Sequence, residues 1–223
     1  MAYAMDALKV RPAGRRALSA IALILCLGGA GMFAYPLFTD IYATEVLQQR
    51  LADRIDSKDF KQRYETRTVK YGDPLTRIVI PALGVNAVVV EGTSAAALRA
   101  GAGHYPGTPL PGEPGNVAIA GHRTTYGKPF NRIDELPVGE KVRLETPLAT
   151  YTYRVVAAPA DVGAPCATGA CWVTGPSDWG VVSPTEGKML TMTTCHPKGS
   201  AAQRLVMRAE LISTGPPAAD RNS

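Results

Sequence analysis

The sequence predicts an all-β domain, a barrel or a sandwich, with a few short helices and one transmembrane helix ahead of it. Three observations carry this reading. A run of 23 residues near the N-terminus holds no charged side chain. From about Leu75 to Leu211, short runs rich in Val, Ile and Thr alternate with Gly and Pro turn signals. Only one segment in that stretch, "SAAALRAG", reads as a helix, with Ser94 as its N-cap and Gly101 as its stop. The length, 223 residues, suits one ordinary domain with appendages, and 46% hydrophobic residues are enough for a core.

Taken in order, residues 1–16 form a basic segment, with Lys9, Arg11, Arg15 and Arg16 against Asp6. That segment carries +3 of the net +5, so the remainder holds only +2. A nucleic-acid-binding domain would carry a basic face on its folded part, so no nucleic acid is expected as a partner. Residues 17–39, "ALSAIALILCLGGAGMFAYPLFT", would rise about 34 Å as a helix, enough for a ~30 Å hydrocarbon layer. Basic residues precede this span, and Asp40 and Glu45 follow it. The positive-inside rule then places residues 1–16 in the cytoplasm and the rest outside, as a single-pass plasma-membrane protein. Gly28-Gly29-Ala30 would also suit a signal-peptide cleavage site, but the apolar tract exceeds the ~7–15 residues of a signal core. An uncleaved anchor is the preferred reading.

Residues 40–71 are charged, with Val46, Leu47, Leu51 and Ile55 at roughly helical spacing. They read as a loosely packed helix or stalk, too short in heptads for a coiled coil. The domain proper is assigned to residues 72–212. "TRIVIPALGVNAVVVEG" gives two strands broken at Pro81 and Gly84, and "HYPGTPLPGEPGN" a Pro/Gly loop. "NVAIAGH" reads as a buried strand, and "KVRLET", "TYTYRVV", "KMLTMTTC" and "RLVMRAEL" as further strands. Residues 213–223, "STGPPAADRNS", read as a disordered polar tail.

Of four cysteines, Cys26 lies in the apolar span and three lie beyond it. Outside the cell an odd thiol points to a reactive group or an intermolecular bridge. Cys166 and Cys171, separated by "ATGA", are natural disulfide partners, which leaves Cys195. A buried inert thiol is the bland alternative. No second pair with metal-like spacing supports a zinc site. A reactive cysteine needs a base or a cationic neighbour. His196 follows Cys195 directly and so points to the opposite face of a strand. His104 sits in the Pro/Gly loop. His122 ends a strand that leads into the loop "RTTYGKPF", a favoured place for catalytic groups. Arg204 opens the strand after Cys195, where a hairpin would bring a guanidinium to a developing oxyanion. A solvated edge charge is its plain alternative.

"TMTTC" followed by Arg204, and preceded by "AIAGHR", resembles the sortase family of cysteine transpeptidases. "GHYPGTPLPGEPGNVAIAGHRTTYGKPFNRIDEL" is similar in particular to the class E sortases of actinobacteria, and the likeness covers about residues 72–212. The family's Thr-Leu-x-Thr-Cys signature stands here as Thr191-Met192-Thr193-Thr194-Cys195, with Met of similar volume for Leu. The resemblance implies an eight-stranded β-barrel and the catalytic residues His122, Cys195 and Arg204. It implies secreted protein substrates with a C-terminal Leu-Pro-x-Thr-Gly or Leu-Ala-x-Thr-Gly signal, cleaved between Thr and Gly. The Thr carboxyl would be joined to an amine of a cell-wall precursor, anchoring the protein in the wall. Tyr105 matches a tyrosine associated in class E with Leu-Ala-x-Thr-Gly signals. Tyr105, Thr193 and Thr194 are the substrate-binding candidates, and the Cys166–Cys171 bond would pin a loop near the substrate groove. No metal or organic cofactor is implied; neither an acidic loop cluster for calcium nor a pilin-type lid segment is recognisable. Two readings of other classes remain open: a hydrolytic cysteine protease, and a non-catalytic membrane-tethered barrel that binds a partner.

Overall fold

The structure is a computed structural model that describes residues 12–162 and 166–218. The basic residues 1–11 and the tail residues 219–223 lie outside the described residues. The chain divides into two units, residues 1–38 and 39–223. Helix α1 runs from Pro12 to Ile41. Its stretch Gly14–Tyr35 is 22 residues long, with a mean hydropathy of 2.1 and no buried share. Leu25 and Phe33 are 70% and 79% exposed. By length and composition this is a candidate single-pass membrane anchor.

The second unit holds the sheet. Its strands are β1 (Pro74–Ile80), β2 (Val85–Glu91), β3 (Ala102–His104), β4 (Gly115–Gly121) and β5 (Lys141–Glu145). They are followed by β6 (Thr150–Val155), β7 (Cys171–Thr174), β8 (Lys188–His196) and β9 (Gln203–Gly215). Eight of these close a ring in the order β6-β5-β1-β2-β3-β4-β8-β9, because β9 also pairs with β6. The ninth strand, β7, pairs with β9 beside β6: Thr174–Cys171 face Arg204–Met207, and β6 takes over from Ala209 onward. Closure leaves the eight ring strands with no free edge. Inward residues alternate along the strands, so Ile78 and Ile80, Val117 and Ile119, and Leu190 and Met192 meet in one interior.

Three features depart from the sequence-based expectations. Strands β3 and β7 were not foreseen. One is only three residues long and contains Gly103, and the other begins at a cysteine expected to lie in a loop. The segment 40–71 is not loosely packed. It contains α2 (Gln48–Ile55) and α3 (Lys58–Glu65), which place Leu51, Ile55, Phe60 and Tyr64 against Leu75, Val88 and Val90 of the barrel wall. Each helix offers an apolar pair four residues apart, one above the other on a single face. Gln48 adds polar attachment, donating to the Val88 carbonyl at 3.0 Å and accepting from the Val88 N–H at 2.6 Å. At the other end, residues 213–215 are strand, because Thr150–Thr152 pair with them.

Cys166 and Cys171 form a disulfide, with Cα atoms 5.2 Å apart. Cys171 is fully buried and Cys166 packs on the same barrel core. The bond therefore braces the core side of the β7 approach, not a loop beside the groove described below. A short α4 (Ala95–Leu98) begins at Ser94, whose hydroxyl accepts the Ala97 N–H at 3.2 Å.

Candidate active site

Parallel pairing of β4 with β8 brings two strand ends together. The ladder runs from Gly115↔Lys188 to Ala120↔Thr193. Gly121 and His122 then leave β4 beside Thr194 and Cys195 of β8. Gly121 has to be small, since a Cβ there would run into the Phe130 ring. His122 lies just past the strand, yet its backbone is held on both sides. Its N–H donates to the Gly101 carbonyl at 3.0 Å, and its carbonyl accepts the Phe130 N–H at 3.2 Å. The imidazole packs against the Tyr126 ring at 5.0 Å between centroids. Burial pushes its pKa below the ordinary 6.5 by disfavouring the charged ring.

Cys195 is half-buried and carries a free thiol. In the antiparallel β8–β9 ladder it stands directly opposite Arg204. Cross-strand partners share a face, with Cβ atoms about 4.5–5.5 Å apart. One guanidinium nitrogen of Arg204 donates to the carbonyls of Ala201 and Gln203 at 2.9 and 3.0 Å. The head group is thus steadied by the β8–β9 turn.

These residues open onto a single groove of about 220 Å³, whose lining includes Tyr105, His122, Thr193, Thr194, Cys195 and Arg204. The Tyr105 hydroxyl shares a 2.9 Å hydrogen bond with Thr193 Oγ1. The Thr194 hydroxyl is already committed: it donates to the Gly121 carbonyl at 2.7 Å. All six sequence-selected groove residues thus meet at one place, whereas Cys166 and Cys171 lie elsewhere. The other histidines are accounted for. His104 is 2% exposed, with Nδ1 at 2.7 Å from Glu91 Oε2 and Nε2 at 2.8 Å from Thr108 Oγ1. His196 turns to the opposite side of β8 from Cys195 and takes a hydrogen bond from Arg123 at 2.9 Å. Among the described residues no group of three His, Cys, Asp or Glu side chains is placed to hold a metal.

Among the groove residues that sequence reasoning missed are Asp178 and Trp179. Trp179 is 68% exposed and meets Tyr105 edge-on at 6.5 Å. A lone tryptophan in "PSDWG", a turn-rich stretch, was the available signal. The loop that carries it is fastened from below. Asn116 donates to the Val181 and Ser183 carbonyls at 3.1 and 3.0 Å and accepts from Thr191 at 2.7 Å.

Residues 78–212 match the family described as Sortase domain. The chain belongs to the sortase family, whose members are cysteine transpeptidases. Within that family it is class E-like. It is 28% identical over 160 residues to Sortase SrtE1 of Streptomyces coelicolor, covering 65% of this chain and 42% of that protein. It is also 28% identical over 138 residues to Sortase D of Bacillus subtilis, covering 60% and 62% respectively. The chain therefore spans about two fifths to three fifths of the length of these curated relatives. Among solved structures, sortase E from Streptomyces avermitilis superposes with a TM-score of 0.56 at 36% identity, covering 66% of this chain and 93% of that one. The Clostridium perfringens sortase D5 transpeptidase gives 0.62 at 27% identity, covering 77% and 99%.

Proposed function

We propose that the chain is a membrane-anchored cysteine transpeptidase. It cleaves a C-terminal Leu-Ala-x-Thr-Gly or Leu-Pro-x-Thr-Gly signal between Thr and Gly and joins the Thr carboxyl to an amine of a cell-wall precursor. The observation that carries the proposal is the placement of Cys195 and Arg204 as cross-strand partners in a groove that also takes in His122. The Cys195 thiolate attacks the Thr carbonyl carbon, and the resulting oxyanion is stabilised by the Arg204 guanidinium. His122, as imidazolium, protonates the Gly nitrogen as the C–N bond breaks, which leaves a thioester on Cys195. The acceptor amine then attacks the thioester, giving a proton to His122 as the thiolate departs. Tyr105, Thr193 and Thr194 line the same wall, where the signal peptide would lie. The basic N-terminal segment and the apolar helix support a cytoplasmic N-terminus and an extracellular barrel. The domain plan that goes with this function is an anchor over 17–39 and a catalytic domain over 72–212.

The test is incubation of the full chain in detergent with Ala- and Pro-containing signal peptides and a small amine, read by mass spectrometry. The expected product is the Thr-terminated fragment joined to the amine. Thr-terminated acid alone, unaffected by amine, would favour a hydrolase. An unchanged peptide and an unreactive Cys195 would favour a binding module.

A further inference from the structure

The ladder that joins β4 to β8 stops at Ala120↔Thr193, two residues short of both His122 and Cys195. Beyond that point side chains join the two strand ends: the Thr194 hydroxyl bonds the Gly121 carbonyl, and Arg123 spans from the residue after His122 to Cys195 itself. Arg123, immediately after His122, is 3% exposed and reaches under the groove. One guanidinium nitrogen donates to the Cys195 carbonyl at 3.3 Å and to His196 Nδ1 at 2.9 Å, and the other donates to Asp134 Oδ2 at 2.8 Å. The Arg123 carbonyl is fixed in turn by Asn131 Nδ2 at 2.7 Å. Parity makes the arrangement possible. His122 and Cys195 turn toward the groove, while their successors Arg123 and His196 turn away from it and meet beneath. Arg123 Nε and Asp134 Oδ1 are buried without a hydrogen-bond partner among the described residues. An ion pair between a buried guanidinium and a half-buried carboxylate, incompletely satisfied, contributes little net stability, so what this one supplies is fixed geometry.

We propose that Arg123 is a positioning residue that holds the strand end bearing Cys195 at a set distance from the strand end bearing His122. This rests on the reading that the thiol and the imidazole act together in the groove. A guanidinium suits the task because its planar fork reaches the Cys195 peptide and the Asp134 carboxylate at once, which an ammonium cannot do.

The experiment uses the full chain in detergent and two readouts. The first is the rate of iodoacetamide alkylation at Cys195, separated from Cys26 by peptide mapping. It is measured for the wild type, His122→Ala, Arg123→Met and the double variant. If Arg123 sets the Cys195–His122 geometry, the two single effects fall short of multiplying by about tenfold. The second is peptide turnover by Arg123→Met. kcat drops by about 10²-fold, the scale of a small misplacement of reacting groups, while KM is nearly unchanged. Arg123→Lys, whose ammonium can meet one of the two partners but not both, restores only a minor part of that loss. Should Arg123→Met not fold, the paired Arg123→Met/Asp134→Leu variant removes both charges and is carried through the same cycle. Independent, multiplying effects on alkylation in a folded variant would overturn the proposal. The alkylation cycle needs no signal peptide, so a wild type that turns over no peptide would sink the transpeptidase reading and still decide this one.

Discussion

His122, Cys195 and Arg204 were legible in the sequence because each sits where a strand meets a loop, and strand parity alone separates Cys195 from His196. Arg123 was not legible in the same way. Its partners Cys195 and His196 reach it only through the β4–β8 pairing, and Asp134 only through the turn at Ile133–Glu135, so nothing local distinguishes it from a surface arginine. The transpeptidase reading makes a graded expectation at this scale. Cys195→Ala abolishes turnover and His122→Ala nearly does, while Arg204→Ala loses about 10²–10³-fold, as oxyanion donors do. All three keep the far-ultraviolet circular dichroism of the parent, and intact-mass analysis of the wild type shows the Thr-terminated fragment on Cys195. Peptide cleavage by Cys195→Ala would refute the assignment. A second expectation concerns pH. Burial lowers the His122 pKa in the folded state, so below pH 6.5 the unfolded chain takes up a proton that the folded chain refuses. The stability tied to this residue is therefore fully present above pH 6.5 and is lost as the pH falls below it. Chemical denaturation across that range should show wild type losing more stability than His122→Gln. The Tyr105–Thr193 hydrogen bond offers a third check: Tyr105→Phe should lose about 1 kcal/mol of stability and change the turnover ratio of Ala- to Pro-containing peptides. An unchanged ratio would leave the phenol only its structural hydrogen bond to Thr193.

Among the elements, the long alternating strands were readable and the short ones were not. β8 and β9 show their period over nine and 13 residues. β3 is three residues long and owes its existence to its neighbours, pairing with β2 on one side and β4 on the other. The segment that forms α2 and α3 reads in the sequence as one loosely packed helix or stalk, on the spacing of Val46, Leu47, Leu51 and Ile55; the separate helix α3 and the packing of both differ from that reading. Their composition is mostly polar, and the apolar pairs Leu51/Ile55 and Phe60/Tyr64 are too sparse to mark a buried face without knowing what they meet. Phe60 is 1% exposed, so Phe60→Ala should cost about 3–5 kcal/mol in chemical denaturation, the usual range for emptying a buried aromatic site. A freely hanging stalk would give almost no change. The same measurement on the exposed Val138 serves as the control.

For the molecule as a whole, the all-β class and a long apolar helix ahead of the barrel could be reasoned from hydropathy and turn spacing. Ring closure could not, because it depends on β9 being long enough to serve β8 along one edge and β7 then β6 along the other. One contact far from that closure bears on how the protein is handled. Asp40, in the last turn of α1, accepts from Lys128 Nζ at 2.7 Å and from the Gly127 N–H at 3.3 Å. Between His122 and Phe130 the chain holds Tyr126 and Lys128 at φ values of 52° and 38°, a left-handed conformation unfavourable for side chains other than glycine. The Tyr126 ring so presented is the one that covers His122. A soluble fragment cut to begin at Gln48 keeps every groove residue and still discards the acidic clasp on this loop. Such a fragment should show a His122 titration by NMR shifted back toward 6.5, whereas full-length protein in micelles should not; Asp40→Asn in the full chain should reproduce the shift. Kinetics gathered on the trimmed barrel would then describe a slackened histidine, and a pH optimum measured there would not transfer to the full-length chain.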